Sequence, residues 1–258
     1  MAGLTVPKGQ HVVDHAEDAA ARHVQHLATA HFAITYNATL GAGGAAAAQR
    51  IADRCEQDFT TLQGYFGGIT PAALPFQIRV TPGDTGASHP TCLGTQLSIG
   101  ARSAPASDPE FINALVVAEE DEVFMATAAN GWDCGASNGE GLSRVLSNAM
   151  YPGTEPAGFV SAPVWLDGGR PDFVTATDPT DTNYVSIGCA VLFLNWLRFE
   201  LGHSWPAIIQ AGGTTLAQTY TNLGEAGDGW ARFQGRINQR FPPGQPSGLT
   251  TDNPFGQP

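Results

Sequence analysis

The chain has 258 residues, 42% of them hydrophobic and only 14% charged, with 31 glycines, 18 prolines and a formal net charge of −12. That length supports one large domain or two small ones, and the low charge with much Thr, Ser, Asn and Gln describes a loop-rich globular chain, not a disordered one. A negative field with Lys8 as the sole lysine argues against nucleic acid and anionic membranes, leaving a peptide, a glycan, a small molecule or a cation as partner.

Residues 9–30, rich in Ala and His, read as a helical N-terminal segment, with His11 and His15 at a spacing that can bind a metal but with no third ligand in view. Residues 31–37 alternate and read as a strand, 41–44 as a glycine turn, and 45–66 as a helix through Ile51, Cys55, Phe59, Leu62 and Phe66. A second strand covers 76–80, a loop 82–86, and a third strand 94–100, polar enough for a sheet edge. Asp108-Pro109-Glu110 starts a helix that runs to about Ala128. After a loop over 130–139 the remainder is helical: 141–150, 187–201, 204–223 and 228–241. Residues 242–258 form an irregular Pro/Gly-rich tail. No apolar run reaches the ~18 residues of a membrane span, and residues 1–8 carry no signal-peptide core, so the chain is cytoplasmic or begins after a removed signal. The order of strands and helices is α+β: a small mixed N-terminal sheet with helices, then a mostly helical C-terminal half.

The helix over 108–128 carries the most informative stretch, Val116-Val117-Ala118-Glu119-Glu120-Asp121-Glu122-Val123-Phe124-Met125. Unpaired carboxylates are expensive to bury, so four acids between apolar flanks call for a metal, a shared proton, hydrogen-bond donors or a catalytic cleft. On a helix Glu119 and Glu122 share a face, while Glu120 and Asp121 are rotated away and read either as further cleft acids or as a solvated face.

The cysteines are Cys55, Cys92, Cys134 and Cys189, with no C-x-x-C pair. Pairing Cys55–Cys92 and Cys134–Cys189 links neighbouring elements and implies an extracellular or periplasmic location; buried free thiols are the other reading.

The stretch resembles the active-site helix of gluzincin-type metallopeptidases, and the order of elements over 31–241 is similar to their zincin fold. In that family a His-Glu-x-x-His helix and a Glu on a second helix bind zinc. The resemblance puts Ala118 at the first His, Glu119 at the catalytic Glu and Glu122 at the second His, with Glu140 of Asn138-Gly139-Glu140-Gly141 at the third ligand. Trp165-Leu166-Asp167-Gly168-Gly169 resembles another family segment, with Gly168 where a Glu stands. It implies a single zincin-like domain over 31–241. Both imidazole ligands are missing, so no metal ligand set is assigned, and an oxygen-liganded calcium, magnesium or manganese ion suits the acids better than zinc.

Two other chemistries compete. Gly135-Ala136-Ser137-Asn138-Gly139 fits the Gly-x-Ser-x-Gly elbow, with Asp167 or Asp172 and His203 following in triad order, but 130–134 is not a buried strand. Glu119, Glu122 and Glu140 converging in a cleft, with Trp132 and Trp165 as platforms, suit glycoside cleavage. The leading expectation is a zincin-like domain with a degenerate peptidase site that retains a carboxylate-lined cleft for binding. The alternatives are an active hydrolase, metal-dependent or glycoside-type, that uses Glu119, Glu122 and Glu140, and a secreted structural or recognition module.

Overall fold

Alternation of apolar residues builds the first half of the chain into a sheet, seen in a computed structural model that describes residues 23–83, 85–104, 108–154 and 159–256. Five strands, β1 (His23–Ala28), β2 (Phe32–Asn37), β3 (Phe76–Thr81), β4 (Ala87–Ser88) and β5 (Gln96–Gly100), lie in the order β1-β2-β3-β5-β4. The two edges run antiparallel to their neighbours and the inner pairs run parallel, in a register that sets Phe32 beside Phe76 and Ile78 beside Leu97. One face is therefore apolar: Phe32, Ile34, Phe76, Ile78, Val80, Leu97 and Ile99 are fully buried.

Among the described residues eight α-helices follow or interleave: α1 (Gly41–Tyr65), α2 (Phe111–Ala128), α3 (Ser137–Met150), α4 (Ala162–Leu166), α5 (Tyr184–Phe199), α6 (Trp205–Gln210), α7 (Leu216–Asn222) and α8 (Gly229–Arg240). α1 packs against β2 along Ala48, Ile51, Phe59 and Leu62. α2 is apolar on every side, so it must be enclosed, and it packs among α1, α3 and the β4–β5 edge. α3 crosses α5 where Gly141 meets Ala190, a contact so close that a Cβ on Gly141 would come within 2.5 Å of the alanine methyl.

The α+β expectation holds, with these corrections. The helix expected over 9–30 is a strand where it is described, because residues 23–28 take up backbone pairing along β2; His11 and His15 lie outside the described residues. The 41–44 turn is the start of α1. The strand expected at the edge, β5, is interior; a two-residue strand, β4, hidden in a loop of polar residues, covers it. The helix expected over 204–223 breaks at Gly212-Gly213, where a Cβ on Gly212 would meet Trp132 Nε1 at 2.6 Å. The tail is irregular but anchored. Asp252 is buried and its Oδ1 accepts from the backbone N–H groups of Ser161 and Ala162 at 2.9 and 2.6 Å, capping the start of α4. Asp252→Ala is expected to cost about 1–2 kcal/mol, read as a fall of several degrees in the melting temperature, with Ser161→Ala costing less.

Candidate functional site

Helical geometry divides the acidic run of α2 between two environments. Glu120 and Asp121 are wholly buried, and none of their four carboxyl oxygens has a hydrogen-bond partner among the described residues, so the solvated-face reading of these two fails. Burial drives both carboxyls well above their usual range, with the charges of Asp58 and Glu56 on α1 adding to the effect on Glu120. Asp58 is itself buried, accepts from Tyr151 Oη at 2.5 Å and is raised to about 6 by desolvation. Burial favours the protonated form of Glu120 and Asp121, and both belong to the interior of the fold, not to a cleft.

Glu119 and Glu122 face the other way, toward the loop after β4. His89 leaves the edge strand there, held extended by the following Pro90, and its imidazole sits between the two carboxyls. Nδ1 lies 3.3 Å from Glu119 Oε2 and Nε2 lies 3.2 Å from Glu122 Oε2. His89, Glu119 and Glu122 keep 5, 13 and 11% of their side-chain surface exposed. Burial raises Glu119 to about 8, and the charges of Glu140 and Asp181 add to the rise. Burial also raises Glu122, followed by Glu119, Glu140, Asp121 and Asp181, and it lowers His89 against the opposing pull of Asp181. Glu119 also raises Glu122, so the two carboxyls titrate as a linked pair beside the imidazole. The group can trade a proton for a cation, or hold a proton ready for transfer.

Glu140, on the first turn of α3, contributes its charge to both α2 acids and is tied down by Arg144, whose Nε donates to Glu140 Oε1 at 2.7 Å. Arg144 also donates to the Phe159 carbonyl at 2.5 Å and lies over the Tyr184 ring. Desolvation works against its charge, but Glu140 and Tyr184 outweigh it and raise the guanidinium. The sequence-predicted trio thus shares one electrostatic neighbourhood, with Asp181 exposed nearby.

The wall opposite α2 is a disulfide, Cys92–Cys134, which joins the His89 loop to the loop before α3. This corrects the expected pairings. Cys55 and Cys189 are free thiols enclosed in the packing of α1 and α5, where each is surrounded by core side chains. A tight turn, Gly94 N–H to Thr91 carbonyl at 2.6 Å, presents Cys92. Gly139 lets the other loop lie on α3, since a Cβ there would fall 2.1 Å from the Asp133 carbonyl oxygen.

The remaining candidates do not join the site. Ser137 is buried, and its Oγ accepts from the backbone N–H of Asp178 at 3.0 Å. No strand precedes it, and Gly139 serves the close approach of the Asp133 backbone, not a nucleophile elbow. Asp167 accepts from Ser247 N–H, Asp172 caps Val174 and Thr175, and His203 pairs with Glu225, so no triad assembles. Trp165 is fully buried against Phe233 and Trp230, and Trp132 donates to the Ile209 carbonyl; both are core residues, not platforms. Sequence reasoning missed His89, Asp181, Arg144 and the true bridge. The available signal was local: His89 is one of two histidines beyond residue 31, and a cysteine follows three residues later. No known protein family, curated protein or solved structure gives a significant match to this chain.

The buried acids fix the sign of the pH dependence. A carboxyl whose folded pKa is raised contributes stability below its unfolded value, near 4.5 for Glu120 and 3.8 for Asp121, and that stability is lost as pH rises toward the folded value. The melting temperature is expected to fall between pH 5 and pH 8. Glu120→Gln and Asp121→Asn are expected to flatten that fall and raise the melting temperature at pH 8. A profile that instead climbs with pH in the unmodified chain would show these carboxyls to be ionised and paired.

Proposed function

We propose that this chain is a zincin-like domain, degenerate as a zinc peptidase, whose carboxylate-lined cleft binds a cationic group, in the first instance an oxygen-liganded divalent cation. The observation that carries this reading is the placement of His89 between Glu119 and Glu122. Neither imidazole of a His-Glu-x-x-His helix is present: Ala118 and Glu122 stand where the resemblance calls for them. The single imidazole comes from outside the helix and takes up both carboxyls. A peptidase needs a cation strong enough to bring bound water to a pKa near 7, and anionic ligands weaken that action. The same acids favour calcium, magnesium or manganese. The bridge at the cleft supports an oxidising compartment, and no helix among the described residues is long and apolar enough to cross a membrane.

One observation favours the alternative of an active hydrolase. A carboxyl raised to about 8, as Glu119 is, holds a proton at neutral pH and can deliver it as a general acid.

Calorimetric titration of the bridged chain with calcium, magnesium and manganese is expected to show one site, weakened at least about tenfold by Glu119→Gln or Glu122→Gln, as for loss of one ligand group. Incubation with an unfolded protein is expected to give no cleavage, with or without zinc. Cleavage by the unmodified chain that disappears in Glu119→Gln would overturn the binding reading in favour of the hydrolase.

A further inference from the structure

Three kinds of donor atom converge beside the disulfide. His89 Nε2 lies 3.2 Å from Glu122 Oε2 and 3.8 Å from Cys134 Sγ, and the ligand atoms of the three residues all lie within 4.8 Å of one another. In a tetrahedral zinc site, bonds of roughly 2.0–2.3 Å place neighbouring N, O and S ligands about 3.3–3.6 Å apart. The two spacings from His89 Nε2 bracket that range before any adjustment, and the Glu122 and Cys134 atoms lie within 4.8 Å of each other. The other ring nitrogen, Nδ1, is buried without a hydrogen-bond partner although Glu119 Oε2 is only 3.3 Å away. A metal-bound imidazole characteristically donates its remote N–H to such a carboxylate, which fixes the tautomer and the ring orientation. The bridge alone keeps this set incomplete, because a disulfide sulfur offers no thiolate.

We propose that reduction of Cys92–Cys134 converts this end of the cleft into a zinc-type site, with His89 Nε2, the Glu122 carboxylate and the Cys134 thiolate as ligands and Glu119 as the positioning carboxylate on Nδ1. The inference deepens the binding-cleft reading and rests on it for access to Glu122. The chemistry balances with a dithiol as reductant: the S–S bond breaks, Cys92 and Cys134 each gain an electron and a proton, and the dithiol closes to its own disulfide. Metal binding then displaces to solvent the Cys134 thiol proton and the proton that burial favours on Glu122. Imidazole and thiolate are donors that zinc prefers, whereas the bridged cleft offers chiefly carboxylates. The oxidation state of one bridge thus selects the class of cation.

Cobalt(II) is the probe, titrated anaerobically into the full-length chain with and without a dithiol. One cobalt per chain is expected after reduction, with tetrahedral visible bands and a thiolate-to-cobalt charge-transfer band, bound at least about tenfold more tightly than by the bridged chain. Cys92→Ser frees Cys134 without any reductant and also removes a neighbouring Cys92–Asp133–Cys134 grouping; this variant is expected to bind cobalt, with the same band, in the absence of dithiol. Cys134→Ser should lose the band, and His89→Ala should lose about 10–100-fold in affinity. Glu119→Gln should keep band and stoichiometry but bind more weakly, as befits a positioning role. Absence of the charge-transfer band in Cys92→Ser overturns the proposal, as does undiminished binding in His89→Ala. Loss of the cooperative melting transition in both the reduced chain and Cys92→Ser also overturns it, since a folded thiol form is required. Calcium or manganese binding retained by the bridged chain in any of these cases leaves the cleft reading standing and removes this inference alone.

Discussion

The removal of four carboxyls from water inside α2 governs the rest of this structure. A helix apolar on all sides has to be enclosed, and enclosure takes Glu119, Glu120, Asp121 and Glu122 with it. An isolated buried charge is too costly to persist, so each carboxyl must become neutral or find a partner. The two outcomes divide along the helix by rotation alone. Glu120 and Asp121 point into packing that supplies no donor, and they hold their protons. Glu119 and Glu122 point at a loop that sets an imidazole between them, 3.3 and 3.2 Å away.

Much of the surrounding architecture follows from delivering that imidazole. β4 is only two residues long, so the chain leaves the sheet edge over α2 instead of extending along it. Pro90 keeps His89 out of the helical region, and the Thr91–Gly94 turn brings Cys92 back toward the helix. From the other side, Gly139 permits the Cys134 loop to lie on α3, and the disulfide joins the two loops across a separation of 42 residues. The same first turn of α3 carries Glu140, held by Arg144, so a single helix start positions both the bridge and the third acid.

The sequence made the core legible and left the partners of the acids hidden. Periodicity identified α1 and β2, because burial of one face leaves a mark in every third or second residue; α5 was legible as a continuous apolar run, since it is buried on every side. It also placed Glu119 and Glu122 together and separated them from Glu120 and Asp121, since rotation along a helix is fixed by the number of residues. β4 escaped because two residues cannot show a period. His89 escaped because nothing in local spacing ties residue 89 to residues 119 and 122; that contact is made by sheet order, in which β4 pairs outside β5. The disulfide was misassigned for the same reason. Adjacency in sequence order does not give adjacency in space: Cys55 and Cys189 are committed to helix packing, and Cys92 and Cys134 lie on loops joined by the bridge.

The origin of the single nitrogen donor distinguishes this site from one whose imidazoles stand together on a helix. When both imidazoles sit one turn apart on a helix, the backbone holds them in place whatever the surrounding loops do. Here the imidazole belongs to a loop tied by a covalent bridge and set between two carboxyls. A helix-borne site suits a catalyst that must keep a metal. A loop-borne donor facing rigid acids suits binding that can be gained and lost. The raised carboxyls give the cation-binding proposal a definite pH sense: a cation bound there would displace protons from Glu119 and Glu122, so its affinity would rise as the pH approaches the value of about 8 at which Glu119 gives up its own.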